Sequence, residues 1–308
     1  LIALFEEKLF DTSPKKINRL PLHQEVGTGR FPSWLHRKLP STEQILETKA
    51  LLNQKRLHTV CEEAKCPNLL ECWSRKTATF LALGKECTRA CGFCDIAHSQ
   101  TPLPLDENEP QAIVDSVKAL KLKHVVITQV ARDDLEDGGA HQMGLIVDLL
   151  REQVPDVRIE LLTSDFAGNV SSWDHILEKK PDVFNTNIET VRSLSHKVRH
   201  KATYDRTLQY LSYMRDHRKN PLLIKSGLMV GLGETKEEVK ETIKDLYFAG
   251  CSIITIGQYL QASHKKLSVK EFVPLELFKE YEEFGLSLGV THMVCGPFVR
   301  SSYHADKI

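Results

Sequence analysis

The amino-acid sequence predicts an α/β fold built on a parallel sheet. Two observations carry this. Short apolar runs rich in β-branched residues alternate with amphipathic helical stretches from residue 78 onward. Each apolar run also feeds a polar or cysteine-bearing loop, and parallel α/β folds collect ligands at that end of their strands. The chain has 308 residues, enough for one large barrel or two ordinary domains.

The elements follow in order. Residues 1–40 are irregular and end in a basic, aromatic segment from Arg30 through Trp34 to Lys38, which reads as an extended arm. A helix then begins at Ser41 or Thr42 as its cap, with Ile45, Leu46 and Leu51 inward. Strands are expected at 79–83, 124–128, 158–162, 183–188, 223–230 and 252–259. Helices are expected near 110–121, 139–152, 172–179, 190–199, 205–217 and 235–248, the last opened by Thr235 and Glu238 at capping-box spacing. A final helix at 274–288 leads into a short terminal segment. Six β-then-α units of this kind make either an open doubly wound sheet or a curved partial barrel.

Composition narrows the function classes. Lys plus Arg equals Asp plus Glu at 41 each, so no basic excess points to nucleic acid. No apolar run approaches the ~20 residues needed to span a bilayer. The stretch 1–10 is interrupted by Glu6, Glu7 and Lys8 and lacks a basic leader region, so the expectation is a cytoplasmic protein. Of eight cysteines, Cys61, Cys66, Cys72, Cys87, Cys91 and Cys94 crowd into one stretch, which in a long chain points to metal or redox chemistry. Cys251 and Cys295 lie outside it and read as buried apolar residues.

The strongest motif is Cys87-Thr-Arg-Ala-Cys91-Gly-Phe-Cys94, on the loop after the first strand. Three thiolates on one short loop suit three irons of a [4Fe–4S] cluster and leave the fourth iron open to a substrate. A zinc site is the alternative, with His98 as fourth ligand. A second triplet, Cys61-Glu-Glu-Ala-Lys-Cys66-Pro-Asn-Leu-Leu-Glu-Cys72, implies a second cluster; the plainer reading is a set of buried structural cysteines. Polar residues after the later strands include Arg132, Asp133, Asp134, Asp165, Asn187, Glu189, Gln258 and Tyr259. Asn187, Glu189, Gln258 and Tyr259 are candidate nucleotide contacts, or else satisfy local backbone groups.

The C-x3-C-x-aromatic-C loop resembles the signature of the radical S-adenosylmethionine superfamily. The pair of triplets, together with Arg132-Asp133-Asp134-Leu135, Asp137-Gly138-Gly139-Ala140, Lys225-Ser226-Gly227 and Arg300-Ser301-Ser302-Tyr303, resembles the lipoyl synthase family over residues 31–305. The resemblance implies a partial (β/α)6 TIM-type barrel at 77–290. It is preceded by an arm and auxiliary-cluster segment at 1–76 and followed by a segment at 291–308 that closes over the mouth. It implies two [4Fe–4S] clusters. The radical-generating one sits on Cys87, Cys91 and Cys94 with S-adenosylmethionine, and Phe93 beside it. The auxiliary one sits on Cys61, Cys66 and Cys72, with Ser302, or Ser301 in its place, on the fourth iron.

The implied reaction is sulfur insertion at C6 and C8 of a protein-bound octanoyl group. The implied partners are octanoylated lipoyl domains of 2-oxoacid dehydrogenase E2 subunits or the glycine cleavage H protein, and an electron donor such as flavodoxin or ferredoxin. The arm at 30–38 would meet an acidic carrier, or is simply a solvated charge run. Other sulfur-inserting radical enzymes, biotin synthase-like, and a non-catalytic zinc protein are the competing readings. The sequence departs from the family at Ala131, Thr186, Ala262, Lys266 and Ser268, where substrate-loop details are expected to differ.

Overall fold

The computed structural model describes residues 32–36, 45–46, 49–50, 57–74, 79–303 and 305. Its strands, in chain order, are β1 (His58–Thr59), β2 (Thr79–Ala82), β3 (Glu86–Cys87), β4 (Ala97–His98), β5 (His124–Gln129), β6 (Arg158–Leu162), β7 (Val183–Asn185), β8 (Leu223–Val230), β9 (Ile253–Gln258) and β10 (His292–Gly296). The main sheet runs β1-β2-β5-β6-β7-β8-β9-β10, and every neighbouring pair is parallel except β1 with β2. Among the described residues no pairing joins β10 back to β2, so the sheet is an open partial barrel.

Helices Glu109–Leu120, Ala140–Gln153, Val170–Glu178, Tyr204–His217, Lys236–Phe248 and Leu275–Leu288 fill the crossovers between parallel strands. They form because their apolar residues recur at helical spacing: Ile113 and Val117, Met143, Ile146 and Leu150, or Val239, Ile243 and Leu246 are all fully buried against the sheet. Trp173, Phe184 and Tyr210 knit one side of this layer, with Trp173 stacked on Tyr210 at 4.6 Å between ring centroids. The Thr235–Glu238 capping box is present as expected.

Strand alternation sends the other set of side chains inward. Gly227 faces the interior, since a Cβ there would lie 2.4 Å from Thr255 Oγ1 and 3.2 Å from Asn187 Oδ1. Lys225 and Asn185, two residues earlier on β8 and β7, share that side. There Lys225 Nζ lies 3.0 Å from Glu160, and Asn185 donates to the same carboxylate at 2.9 Å. Glu160 and Lys225 are each about 1% exposed, so the interior is floored by a buried ion pair.

Three expectations need correcting. The parallel sheet has a seventh strand, β10, and an antiparallel edge strand, β1. β1, two residues long, carries no periodic signal, and β10 begins with His292 and ends with Gly296, which break its apolar run. The stretch 190–199 is not one helix but a 3-10 turn, Arg192–Leu194, and a short helix, Ser195–Val198. Ile45 packs on the core as expected, but Leu46 is 58% exposed, and Leu51 lies outside the described residues. Of the basic arm, Arg30, Arg37 and Lys38 also lie outside them. Among the described residues no helix is long and apolar enough to cross a membrane.

Candidate active site

After β2 the chain turns through Leu83 and Gly84, both at positive φ. The Glu109 carboxylate holds this turn by accepting from Leu83 N at 2.8 Å and Gly84 N at 3.0 Å. β3 then pairs with β4, closing a loop that carries Cys91 and Cys94 with Cys87 at its root. Backbone amides point at sulfur: Arg89 N lies 3.4 Å from Cys87 Sγ, and His200 N lies 3.4 Å from Cys91 Sγ.

Burial pushes the Cys94 thiol up to about 12, with Cys91 and Cys87 adding to the shift and the Ile96 amide opposing it. Burial raises Cys91 as well. Thiols raised in this way, Cys91 and Cys94, favour the protonated form alone and ionise when cationic metal compensates them. His98, the fourth ligand a zinc site would need, spends Nδ1 on the Cys87 carbonyl at 3.1 Å. Among the described residues no three His, Cys, Asp or Glu side chains converge as they would on one metal ion. Three thiols on one loop are a donor set of the kind that a cubic iron–sulfur cluster takes.

The residues between Cys87 and Cys91 are anchored from two strand ends. Thr88 donates to Ala131 O and to Asp133, while Arg89 makes a bidentate contact to Asp133 with distances down to 2.7 Å. Arg89 also reaches Asp165 at 2.7 Å, and Asp165 in turn meets Arg206 Nε at 2.6 Å. Burial alone would raise the Asp165 carboxyl, but the charges of Arg89 and Arg206 outweigh it and hold the group below the usual carboxylate range. Asp133 is lowered likewise, against its own burial, by Arg89.

The second triplet is packed by local coiling. Thr59 caps the helix Val60–Glu63 by accepting from Glu62 N, which places Cys61 on its first turn. Cys66 N returns to Cys61 O at 3.0 Å, and Cys72 sits on the helix Leu69–Ser74. Cys61 is pushed up to about 12, first by burial and then by Cys66 and Cys72, with the backbone at Thr79 opposing, so these three thiols share one environment.

The C-terminal segment reaches this triplet. Asn68 donates to Phe298 O at 2.7 Å, and Tyr303 OH bonds Glu71 at 2.8 Å. On its barrel side Ser301 Oγ accepts from Asn187 Nδ2 at 3.1 Å. The segment fits because β9 offers Gly257, where a Cβ would stand 2.0 Å from Val299 O. Lys65 and Asp95, 2.5 Å apart, tie the two cysteine segments together directly.

Among the expected nucleotide contacts, Glu189 is half-buried at φ +69 and pinned to β8 through Glu189 N to Gly227 O and Met229 N to Glu189 O. Burial raises its carboxyl, while Arg199, Asn187 and Arg300 pull the other way. Phe93 lies in a small apolar cluster with Tyr259, Val198 and Val269 behind the cysteine loop. Gln258 and Tyr259 correct the reading. The Gln258 amide bonds Tyr259 O, Glu271 O and Val273 N, and Tyr259 OH bonds Leu267 O at 2.7 Å, so both side chains hold the loop after β9 rather than face a ligand. Gln258 follows inward Gly257, and strand alternation turns it outward.

Of the departures, Thr186 donates to Thr163 O, Ala131 receives Thr88 through its carbonyl, and Lys266 receives Gln261 through its own. Arg89, Arg199, Arg206, His200, Asn68 and Glu71 escaped the sequence reading; only the post-strand acids Asp133 and Asp165 hinted at a partner for the arginines.

The radical SAM superfamily profile matches residues 81–246. The chain is 56% identical over 309 residues to a lipoyl synthase of Protochlamydia amoebophila, covering 97% of this chain and 96% of that one. It is 49% identical over 288 residues to a lipoyl synthase of Chlamydia trachomatis serovar D, covering 94% and 92%. Two solved structures share the fold at low identity. Streptococcus suis SuiB bound to S-adenosylmethionine gives a TM-score of 0.56 at 11% identity, covering 74% of this chain and 53% of that one. The FeFe-hydrogenase maturase HydG of Carboxydothermus hydrogenoformans gives 0.55 at 14%, covering 83% and 72%.

Proposed function

The chain belongs to the lipoyl synthase family of the radical S-adenosylmethionine superfamily, and on that premise we propose that Cys87, Cys91 and Cys94 hold the radical-generating cluster while Cys61, Cys66, Cys72 and Ser302 hold an auxiliary [4Fe–4S] cluster that donates sulfur. The enzyme is a sulfurtransferase that inserts sulfur at C6 and C8 of a protein-bound octanoyl group. When bound, the clusters and the nucleotide supply hydrogen abstraction from unactivated carbon and the sulfur that replaces it.

The chain's own residues position and enclose. Arg89, gripped by Asp133 and Asp165, keeps the cysteine loop in register with two strand ends. Phe93, Asn187 and Glu189 line the nucleotide side. Asn187 occupies the Ser301 hydroxyl, which favours Ser302 as the auxiliary ligand. A harder oxygen there binds iron less firmly than thiolate and suits an iron that must be released.

One observation carries the reading: Asn68 and Glu71, both within the first cysteine triplet, hold Phe298 and Tyr303 on either side of the serine pair. The carrier is an octanoylated lipoyl domain, of a 2-oxoacid dehydrogenase E2 subunit or the glycine cleavage H protein, and reduction comes from a flavodoxin- or ferredoxin-type donor.

Anaerobic reconstitution should give about eight irons per chain, in two cubic clusters. Cys61→Ala should keep nucleotide cleavage and lose sulfur insertion; Cys87→Ala should lose both. Ser302→Ala should impair insertion more than Ser301→Ala. Full sulfur insertion by Cys61→Ala would overturn the donor role.

A further inference from the structure

The formal charge of the chain is zero, yet lysines gather around one loop. Lys65, Lys197, Lys201 and Lys265 are exposed and Lys266 is half-buried. The structure packs their three segments against Cys87–Cys94. Gly92 N donates to Val198 O at 2.9 Å and Leu267 N to Gly92 O at 2.9 Å, which brings in residues 197–201 and 261–267. Lys65 and Ser263 both bond Asp95, one residue beyond Cys94. Lys201 sits at φ +60 and acts electrostatically on Asp133. The carboxylates of these loops are Glu86, Asp95, Asp133, Asp134 and Glu136, of which Asp95 is tied to Lys65, Asp133 to Arg89 and Asp134 to Arg132, so exposed Glu136 and half-buried Glu86 face the lysines. The collar is therefore basic on its solvent side.

Its centre lies directly against the cluster ligands, which are themselves only half-buried. His200 and Ala90 are exposed, His200 N points at Cys91 Sγ at 3.4 Å, and Ala90 N donates to His200 Nδ1 at 3.1 Å. Exposed His98 stands 6.4 Å from His200, ring to ring, and bonds the Cys87 carbonyl. Exposed residues of the collar thus touch the Cys91 sulfur and the Cys87 backbone. The inner side of the same loop faces Glu189 and Arg199, toward the C-terminal segment.

We infer that this lysine collar is the docking surface for a small acidic protein that delivers single electrons to the Cys87–Cys91–Cys94 cluster. The inference rests on the cluster assignment above. Each nucleotide cleavage consumes one electron: the donor is oxidised by one electron and the sulfonium is reduced, and no side chain of this enzyme is the source. Electron transfer favours the shortest path through protein, and that path opens at the centre of the collar. An octanoyl chain must instead reach the inner side, between the two cysteine sets. Complementary charge at such a rim chiefly sets the encounter rate.

The test follows cluster bleaching by rapid mixing in the reconstituted enzyme, with reduced flavodoxin or ferredoxin and, separately, with dithionite. The triple charge reversal Lys197→Glu, Lys201→Glu, Lys265→Glu should slow protein-driven reduction about tenfold or more. It should also abolish that reaction's salt dependence and leave dithionite reduction and the KM for octanoylated carrier unchanged. Salt should slow the protein-driven reaction of the unaltered enzyme. The inference is overturned if protein-driven reduction is unaffected by charge reversal or salt. It is equally overturned if the carrier's KM rises while donor rates hold, which would give the collar to the carrier. Parallel loss with both reductants would place the lysines' effect on the cluster itself, again against it. If the unaltered enzyme shows no dithionite-reducible cluster that Cys87→Ala removes, the cluster assignment fails instead.

Discussion

Replacing Asp165 by asparagine separates the charge of the arginine clamp from its shape. Asp165 is 1% exposed and meets Arg89 at 2.7 Å and Arg206 at 2.6 Å. Removing one partner from a buried ionic group typically costs 3–5 kcal/mol, because the other charge stays buried. The lower end applies, since Arg89 keeps its bidentate contact to Asp133 and Arg206 is 24% exposed. We expect a loss of about 3 kcal/mol at neutral pH and a melting temperature lower by roughly 6 °C.

The pH dependence carries a sign. Asp165 is held below its ordinary value in the folded enzyme, so the unfolded chain binds more protons over the window beneath that value. The stabilisation is complete above about pH 4 and fades on acidification, and asparagine has none to lose. Urea denaturation of both proteins without clusters should therefore show a gap that is widest at neutral pH and shrinks as the pH falls below about 4. A gap below about 1 kcal/mol, or one constant across that range, would refute the reasoning.

Gly257→Ala sets a Cβ 2.0 Å from Val299 O, so the C-terminal segment must lift. Limited proteolysis within 297–303 should accelerate, and sulfur insertion should fall at least about tenfold while nucleotide cleavage continues. Lys225→Met leaves Glu160 buried without its cation and should cost about 3–5 kcal/mol in chemical denaturation. Adding Glu160→Gln should recover more than half of that, and further loss in the double variant would contradict the ion-pair account. Tyr303→Phe removes the 2.8 Å bond to Glu71, worth about 1 kcal/mol, and should speed amide hydrogen exchange in 297–303 about fivefold without changing iron content.

What could be read from sequence follows the range of the interaction. Both cysteine triplets and the strands β2 and β5–β9 are local patterns, visible as spacing and apolar runs. The clamp is not local: Arg89 meets Asp133 and Asp165 across strand ends that only the folded sheet brings together, and His200 meets Cys91 from another loop. β10 stayed hidden because His292–Gly296 interrupts its apolar run at both ends, and β1 because two residues carry no period. The stretch 190–199 was read as one helix, but the Glu189 backbone just before it is tied to β8 at positive φ and delays the turn until Arg192. For Gln258 the sequence left two readings open, and strand parity favours the local backbone contacts that it makes.

β1 occupies only His58–Thr59, yet it pairs with Leu81 and Phe80 on β2, and Thr59 also caps the short helix that bears Cys61. The stretch that carries the first cysteine triplet is therefore a structural member of the barrel wall, not a removable appendage. A chain trimmed to begin at β2 would present an unprotected strand edge, a template on which identical chains pair and precipitate. Efforts to obtain a minimal radical-generating core by shortening this protein should meet insolubility before they meet lost activity.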